Sequence, residues 1–197
     1  MIVDVYTTLN SPWAYLGAEQ LNGIRARSKA TFRIRPSKFA EVFAATGGLP
    51  LAQRPPARRA YRMMELKRWS KRRGVPLVLV PKHAPCDETQ GVRLVMAAQE
   101  AGFDGFKLAQ EIGRALWELD QNIADASVLA AAGQRAGIDI SKLTVDAARL
   151  DAQWEANTKE ALERGVFGAP SYVLPDGEIF WGQDRLDFLA EALGANA

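Results

Sequence analysis

The spacing of apolar residues divides the chain into three stretches. In the first 38 residues Val3 alternates with Val5, and Phe32 with Ile34, a period of two that predicts strands, the first over residues 2–6. Between them Trp13, Leu16, Leu21 and Ile24 fall on one face of a helix. A parallel strand pair joined by one helix is the economical arrangement, because such crossovers pack back with a single hand. From about residue 40 to 164 the period becomes helical. Leu108, Ile112, Ala115, Leu116 and Leu119 form one stripe, and similar patterns run through 57–73, 88–101, 127–136 and 147–164. Gly74-Val75-Pro76, Gly102 and Gly137 interrupt these helices, and the proline-bounded stretch 76–81 reads as an extended connection. The closing stretch returns to strand spacing. Ser171–Leu174 and Glu178–Trp181 flank Pro175-Asp176-Gly177, a turn in which proline presets its own backbone angle and glycine accepts a positive one. After Gly182, residues Leu186, Leu189, Ala190 and Leu193 predict an amphipathic helix.

Strand-helix-strand, helical middle, strand-strand-helix is the order of an α/β thioredoxin-like domain carrying a large all-helical insertion. The expected division is 1–38 plus 165–197 for the thioredoxin-like domain and 39–164 for the helical insertion. A chain of 197 residues can bury a sizeable core, and 48% hydrophobic with 24% charged residues is ordinary for a soluble globular protein. No apolar run approaches the roughly 20 residues of a membrane span. The N-terminus enters a strand at once, without a basic region, apolar stretch and cleavage site, so a cytoplasmic protein is expected. A net charge of +2 gives little attraction for nucleic acid. The basic run 67–73, interrupted by Trp69 and preceded by Leu66, reads as a solvated helix face with snorkelling stems.

The chemistry-bearing residues are few. Cys86 is the only cysteine, which excludes an internal disulfide and a Cys-x-x-Cys pair and fits a reducing compartment. It is expected to be a small buried side chain. His83, the only histidine, precludes a multi-histidine metal site and is expected at the surface; no metal is expected. Ser11-Pro12 opens the first helix, where serine is a favoured cap and proline a favoured first residue. In a thioredoxin-like fold the same place holds the reactive group. Its partner is Gly165-Val166-Phe167-Gly168-Ala169-Pro170, a proline loop just before a strand, whose open main-chain edge suits strand addition and whose Ala169-Pro170 bond is a candidate cis bond.

These pieces, together with Ser11-Pro12-Trp13-Ala14-Tyr15-Leu16, Arg58-Arg59-Ala60-Tyr61 with 65–69, Gly74-Val75-Pro76, the stretch 117–123 and Trp181-Gly182-Gln183-Asp184-Arg185-Leu186, are spread end to end in one order. In that order the chain resembles the kappa-class glutathione transferase and 2-hydroxychromene-2-carboxylate isomerase family, a branch of the DsbA-like thioredoxin folds. The resemblance implies bound glutathione as cofactor, with its thiol beside the Ser11 hydroxyl. It also implies main-chain pairing at Ala169, beside Pro170. Gln183 and Asp184 would hold the γ-glutamyl end, and Arg58, near Tyr61, a ligand carboxylate. Asp184 as a simple helix cap and Arg58 as a solvated cation remain alternatives. Trp13 and Asn122 are expected at the substrate pocket, and Trp69, Trp117, Trp154 and Trp181 are expected mostly in the core, one or two at an aromatic pocket. Three positions depart from the family pattern: Gly48 stands where asparagine is common, Pro85-Cys86-Asp87 replaces Pro-x-Asn, and Trp13 replaces tyrosine or phenylalanine.

The implied activity is isomerisation of a 2-hydroxychromene-2-carboxylate-type aromatic acid by thiolate addition to the ring-opened ketone, bond rotation and elimination. The implied partner is a small aromatic substrate, and a homodimer is expected. A kappa-like transferase, performing conjugation or peroxide reduction, is the nearest alternative. A redox-inactive DsbA-like peptide-binding domain is an alternative of another class. A dithiol oxidoreductase would need a second cysteine.

Overall fold

The computed structural model describes residues 1–195; residues 196 and 197, the end of the expected 165–197 segment, lie outside the described residues. β1 (Ile2–Thr7), α1 (Pro12–Arg27) and β2 (Thr31–Pro36) form the parallel unit predicted from spacing, with Val3 opposite Phe32 and Val5 opposite Ile34. α1 starts where the sequence says it should. Ser11 caps it, with Pro12 as the first helical residue, and Arg25 and Arg27 occupy the last turn, where cations complement the helix dipole.

The middle is helical: α2 (Phe39–Thr46), α3 (Pro56–Arg73), α4 (Thr89–Glu100), α5 (Gly105–Trp117), α6 (Ala126–Ala136) and α7 (Ala147–Glu163). α2 has no counterpart among the expected helices. The α5 stripe ends earlier than predicted, because the helix stops at Trp117 and leaves Leu119 exposed beyond it. The chain returns to the sheet as β3 (Ser171–Val173) and β4 (Ile179–Trp181), then closes with a 3-10 turn at Gln183–Arg185 and α8 (Leu186–Ala192). Gly177 takes the positive φ of 94° that the hairpin turn requires.

Sheet order is β2-β1-β3-β4, with β1 antiparallel to β3 and β3 antiparallel to β4. Both faces of β1 are covered. Val3, Val5, Ile34 and Tyr172 join Ile112, Leu116 and Leu129 of α5 and α6 in one continuous core, so the middle helices and the sheet share their apolar interior. Tyr6 and Val173 face a smaller core with Phe39, Val42 and Ala161 of α2 and α7. Asp4 lies on the Tyr6 side, 3% exposed, with Arg33, Arg35 and Arg164 at 2.8, 3.1 and 2.8 Å. Burial alone would raise its pKa; the arginine hydrogen bonds and charges overcome this and hold it below the ordinary value. Among the described residues no helix is long and apolar enough to cross a membrane.

Candidate active site

β1 delivers the chain to Thr8–Asn10, and α1 begins immediately after. Ser11, 7% exposed, accepts a hydrogen bond from the Ala14 amide at 3.2 Å, the expected capping contact. The cap occupies the hydroxyl as acceptor and leaves its proton to donate. That proton points to the carbonyl of Ala169 at 3.5 Å, a long contact and a weak bond. The Ala169-Pro170 peptide is cis, and among the described residues the Ala169 amide donates no hydrogen bond. The Pro170 carbonyl accepts from the Gly182 amide at 2.8 Å, which ties the proline loop to the turn at Gln183.

A cleft of about 420 Å³ opens on this loop. Trp13, Arg58, Tyr61, Ala169, Gln183 and Asp184 all line it, so the structure brings together six residues singled out from the sequence. Trp69 and Trp181 add aromatic surface to its walls, whereas Trp117 is buried in the core. Ser11 and Pro170 line a small apolar cavity beneath the same loop, floored by Tyr15, Phe106 and Tyr172. Gly168 is required by packing. A methyl group there would overlap the Trp181 indole, which also meets Phe167 edge-on at 4.8 Å.

Gln183 is 1% exposed and held by Arg73, the last residue of the basic run expected to be a solvated face. Arg73 donates from Nε to the Gln183 side-chain oxygen at 2.9 Å and from Nη2 to its carbonyl at 2.8 Å, and lies over the Trp69 ring at 5.1 Å. The basic run is therefore only partly solvated, because its last residue props the turn that lines the cleft. Asp184 is exposed and paired with Arg185 at 2.7 Å. It makes no capping hydrogen bond to the helix that follows.

Asn122 is not among the residues lining that cleft. Its side-chain oxygen accepts from the Cys86 thiol at 2.7 Å and the Ala124 amide at 3.1 Å, and its amide donates to Asp125. Cys86 is half-buried and joins this network to the active-site loop. Its amide donates to the Asn10 side chain at 2.8 Å, and its carbonyl accepts from Asn10 Nδ2 at 2.9 Å. His83 is exposed, as expected.

Sequence reasoning missed Glu88. Its carboxylate accepts from Thr8 Oγ1 at 2.7 Å and from the amides of Leu9 at 2.7 Å and Asn10 at 3.2 Å, clamping the three residues that precede Ser11. Desolvation pushes its pKa up while these donors pull it down, and burial prevails. An acid just before a helix was the only signal available. It reads as a capping or dipole residue, yet the Glu88 side chain makes no capping hydrogen bond to α4.

The arrangement places a serine hydroxyl at a helix N-terminus, a cis-proline loop across from it and a cleft alongside, in the sheet order of a thioredoxin-like protein. The family model for the DSBA-like thioredoxin domain matches residues 2–194, and the chain belongs to that family. Within it, the chain is 28% identical to a 2-hydroxychromene-2-carboxylate isomerase of Sphingobium xenophagum, over 97% of each chain. It is 23% identical to glutathione S-transferase kappa 1 of Rattus norvegicus, over 98% of this chain and 91% of the relative. A solved structure of a 2-hydroxychromene-2-carboxylate isomerase superposes with a TM-score of 0.78 at 27% identity, covering 98% of this chain and 95% of that one.

Proposed function

We propose that this protein is a glutathione-dependent isomerase of the 2-hydroxychromene-2-carboxylate type, acting on an aromatic 2-oxo acid or its hemiketal. The observation that carries the reading is the Ser11 hydroxyl, capped as an acceptor, donating only a long 3.5 Å contact and facing a cis-proline loop in a chain with no second thiol. A dithiol mechanism is closed to such a site, so the sulfur must come with a ligand. Similarity to named isomerases over nearly the whole chain supports the reaction class.

The residues in the cleft fit a γ-glutamyl tripeptide. The open amide of Ala169 suits the main chain of a cysteinyl group, Asp184 suits an ammonium and Arg58 a carboxylate. Glutathione held there would supply a thiolate nucleophile for reversible addition to a conjugated ketone. The chain's own task is to hold that sulfur ionised. A free thiol has a pKa of about 8.5, and lowering it by two units takes about 2.7 kcal/mol of preferential stabilisation. A charge-assisted hydrogen bond from Ser11 contributes about 1.5–3 kcal/mol and the α1 N-terminus about 0.3–1 kcal/mol, a combined range that spans the requirement without a dedicated base. Trp13, Trp69 and Trp181 give an aromatic acceptor apolar surface beside the sulfur.

Isothermal titration with glutathione tests the reading: binding is expected, and no heat at millimolar ligand would overturn it and leave a peptide-binding role for the proline loop. A kappa-like transferase is the second reading, supported by the similarity to glutathione S-transferase kappa 1. Product analysis separates the two, since an isomerase returns glutathione unchanged and a transferase consumes it. A cytoplasmic location and a homodimer are part of the same proposal.

A further inference from the structure

The cleft carries positive charge beyond Arg58. α3 presents Arg58, Arg62, Glu65 and Trp69 to it, spaced by four, three and four residues, the repeat of one helical face. Arg54 joins them from the turn before α3, its Nε donating to the Leu49 carbonyl at 2.8 Å. Neither carboxylate of the cleft pairs with these arginines: Glu65 pairs with Arg68, and Asp184 with Arg185, which lines the same cleft. Among the described residues no carboxylate lies within ion-pair distance of Arg54, Arg58 or Arg62. Arg62 is half-buried, and its desolvation together with the like charge of Arg54 pulls its pKa below the ordinary arginine value. Desolvating one guanidinium beside another is costly unless an anion joins them, and the planar fork of donors on each matches the two oxygens of a carboxylate.

We infer that Arg54 and Arg62 form a carboxylate-binding subsite on the α3 wall of the cleft, separate from the contact assigned to Arg58. The inference rests on the cleft being the ligand site of the reading above. Two ligands bring the required group: the glycine end of glutathione, and an aromatic 2-oxo acid acceptor. Both present a planar carboxylate, and binding experiments tell them apart.

The test compares the wild-type protein with the double variant Arg54→Gln, Arg62→Gln, titrated with glutathione, with γ-glutamylcysteine, which lacks the glycine, and with 4-phenyl-2-oxobut-3-enoate alone. Thermal unfolding of the variant comes first. Removing two uncompensated like charges is expected to leave the midpoint unchanged or raise it. If the glycine carboxylate sits there, glutathione affinity falls at least tenfold while γ-glutamylcysteine affinity is unchanged. If the acceptor sits there, glutathione affinity is retained and the oxo acid binds at least tenfold more weakly. Unchanged affinity for all three ligands overturns the subsite. A wild-type protein that binds the oxo acid in an arginine-dependent way but never binds glutathione overturns the cofactor reading and keeps the subsite. A protein that binds none of the three overturns both.

Discussion

Ser11 Oγ lies 3.5 Å from the carbonyl oxygen of Ala169, a contact that joins the first turn of α1 to the cis-proline loop 158 residues later in the chain. At that length the hydroxyl donates weakly, so its proton can turn to a better acceptor at little cost. The capping contact to Ala14 draws on a lone pair and does not compete. Helix cap and thiolate donor are therefore compatible roles for one side chain.

That compatibility separates two substitutions. Ser11→Ala removes cap and donor together. Loss of the cap is expected to cost about 1 kcal/mol of stability. Loss of the charge-assisted bond is expected to raise the pKa of bound glutathione by about one to two units while binding persists. Ultraviolet titration of the thiolate reads the second effect directly, and Ser11→Thr, which keeps the hydroxyl, is expected to restore most of both. An unchanged titration in Ser11→Ala removes the role given to Ser11.

Arg73 does not line the cleft and reaches it only through Gln183. Arg73→Met is expected to loosen the Gly182–Arg185 turn and lower glutathione affinity about tenfold, equivalent to about 1.4 kcal/mol, with no change in the bound thiol pKa. Calorimetry and thiol titration on the same variant separate this positioning role from a direct effect on the sulfur.

Gly168 is fixed by the Trp181 indole rather than by its own backbone angle. Gly168→Ala is expected to displace the indole, destabilise the protein by about 1–3 kcal/mol and shift tryptophan emission, because Trp181 is half exposed at the cleft. Denaturant unfolding and fluorescence check both parts.

Asp4 sets an acid limit on stability. Its folded pKa lies below the ordinary 3.8, so its contribution is present at neutral pH and is lost as the pH falls below 3.8 through the folded value. Asp4→Asn is expected to lower the melting temperature at pH 7, where Arg33, Arg35 and Arg164 lose their counter-charge, and to flatten its decline in acid. Melting temperatures of both proteins between pH 2.5 and about 7 measure the difference.

How far the chain can be read in advance follows from the range of each interaction. The strand pairs, α1, the hairpin at Gly177 and the closing helix are legible because a period of two or 3.6 and a turn glycine are local signals. α2 escaped because Phe39–Thr46 is short and apolar on several sides, which leaves no contrast for periodicity to detect. Leu119 fits the α5 stripe by spacing but lies past the helix end. Ser11, Ala169 and Gln183 could be picked out because a motif marks each of them. Glu88, Arg73 and Arg62 could not, since each gains its meaning from a neighbour on another element: the Thr8–Asn10 loop, the turn at Gln183 and the like charge of Arg54.

Absorbance follows the interconversion of 2-hydroxychromene-2-carboxylate and its ring-opened trans isomer, with glutathione varied and its concentration assayed before and after. The rate is expected to saturate with glutathione, glutathione to be recovered unchanged, and the loss of rate in Ser11→Ala to shrink as the pH rises toward the thiol's own pKa. Isomerisation at full rate without glutathione, or none with it, would contradict the claim that the Ser11 hydroxyl serves a sulfur the protein borrows.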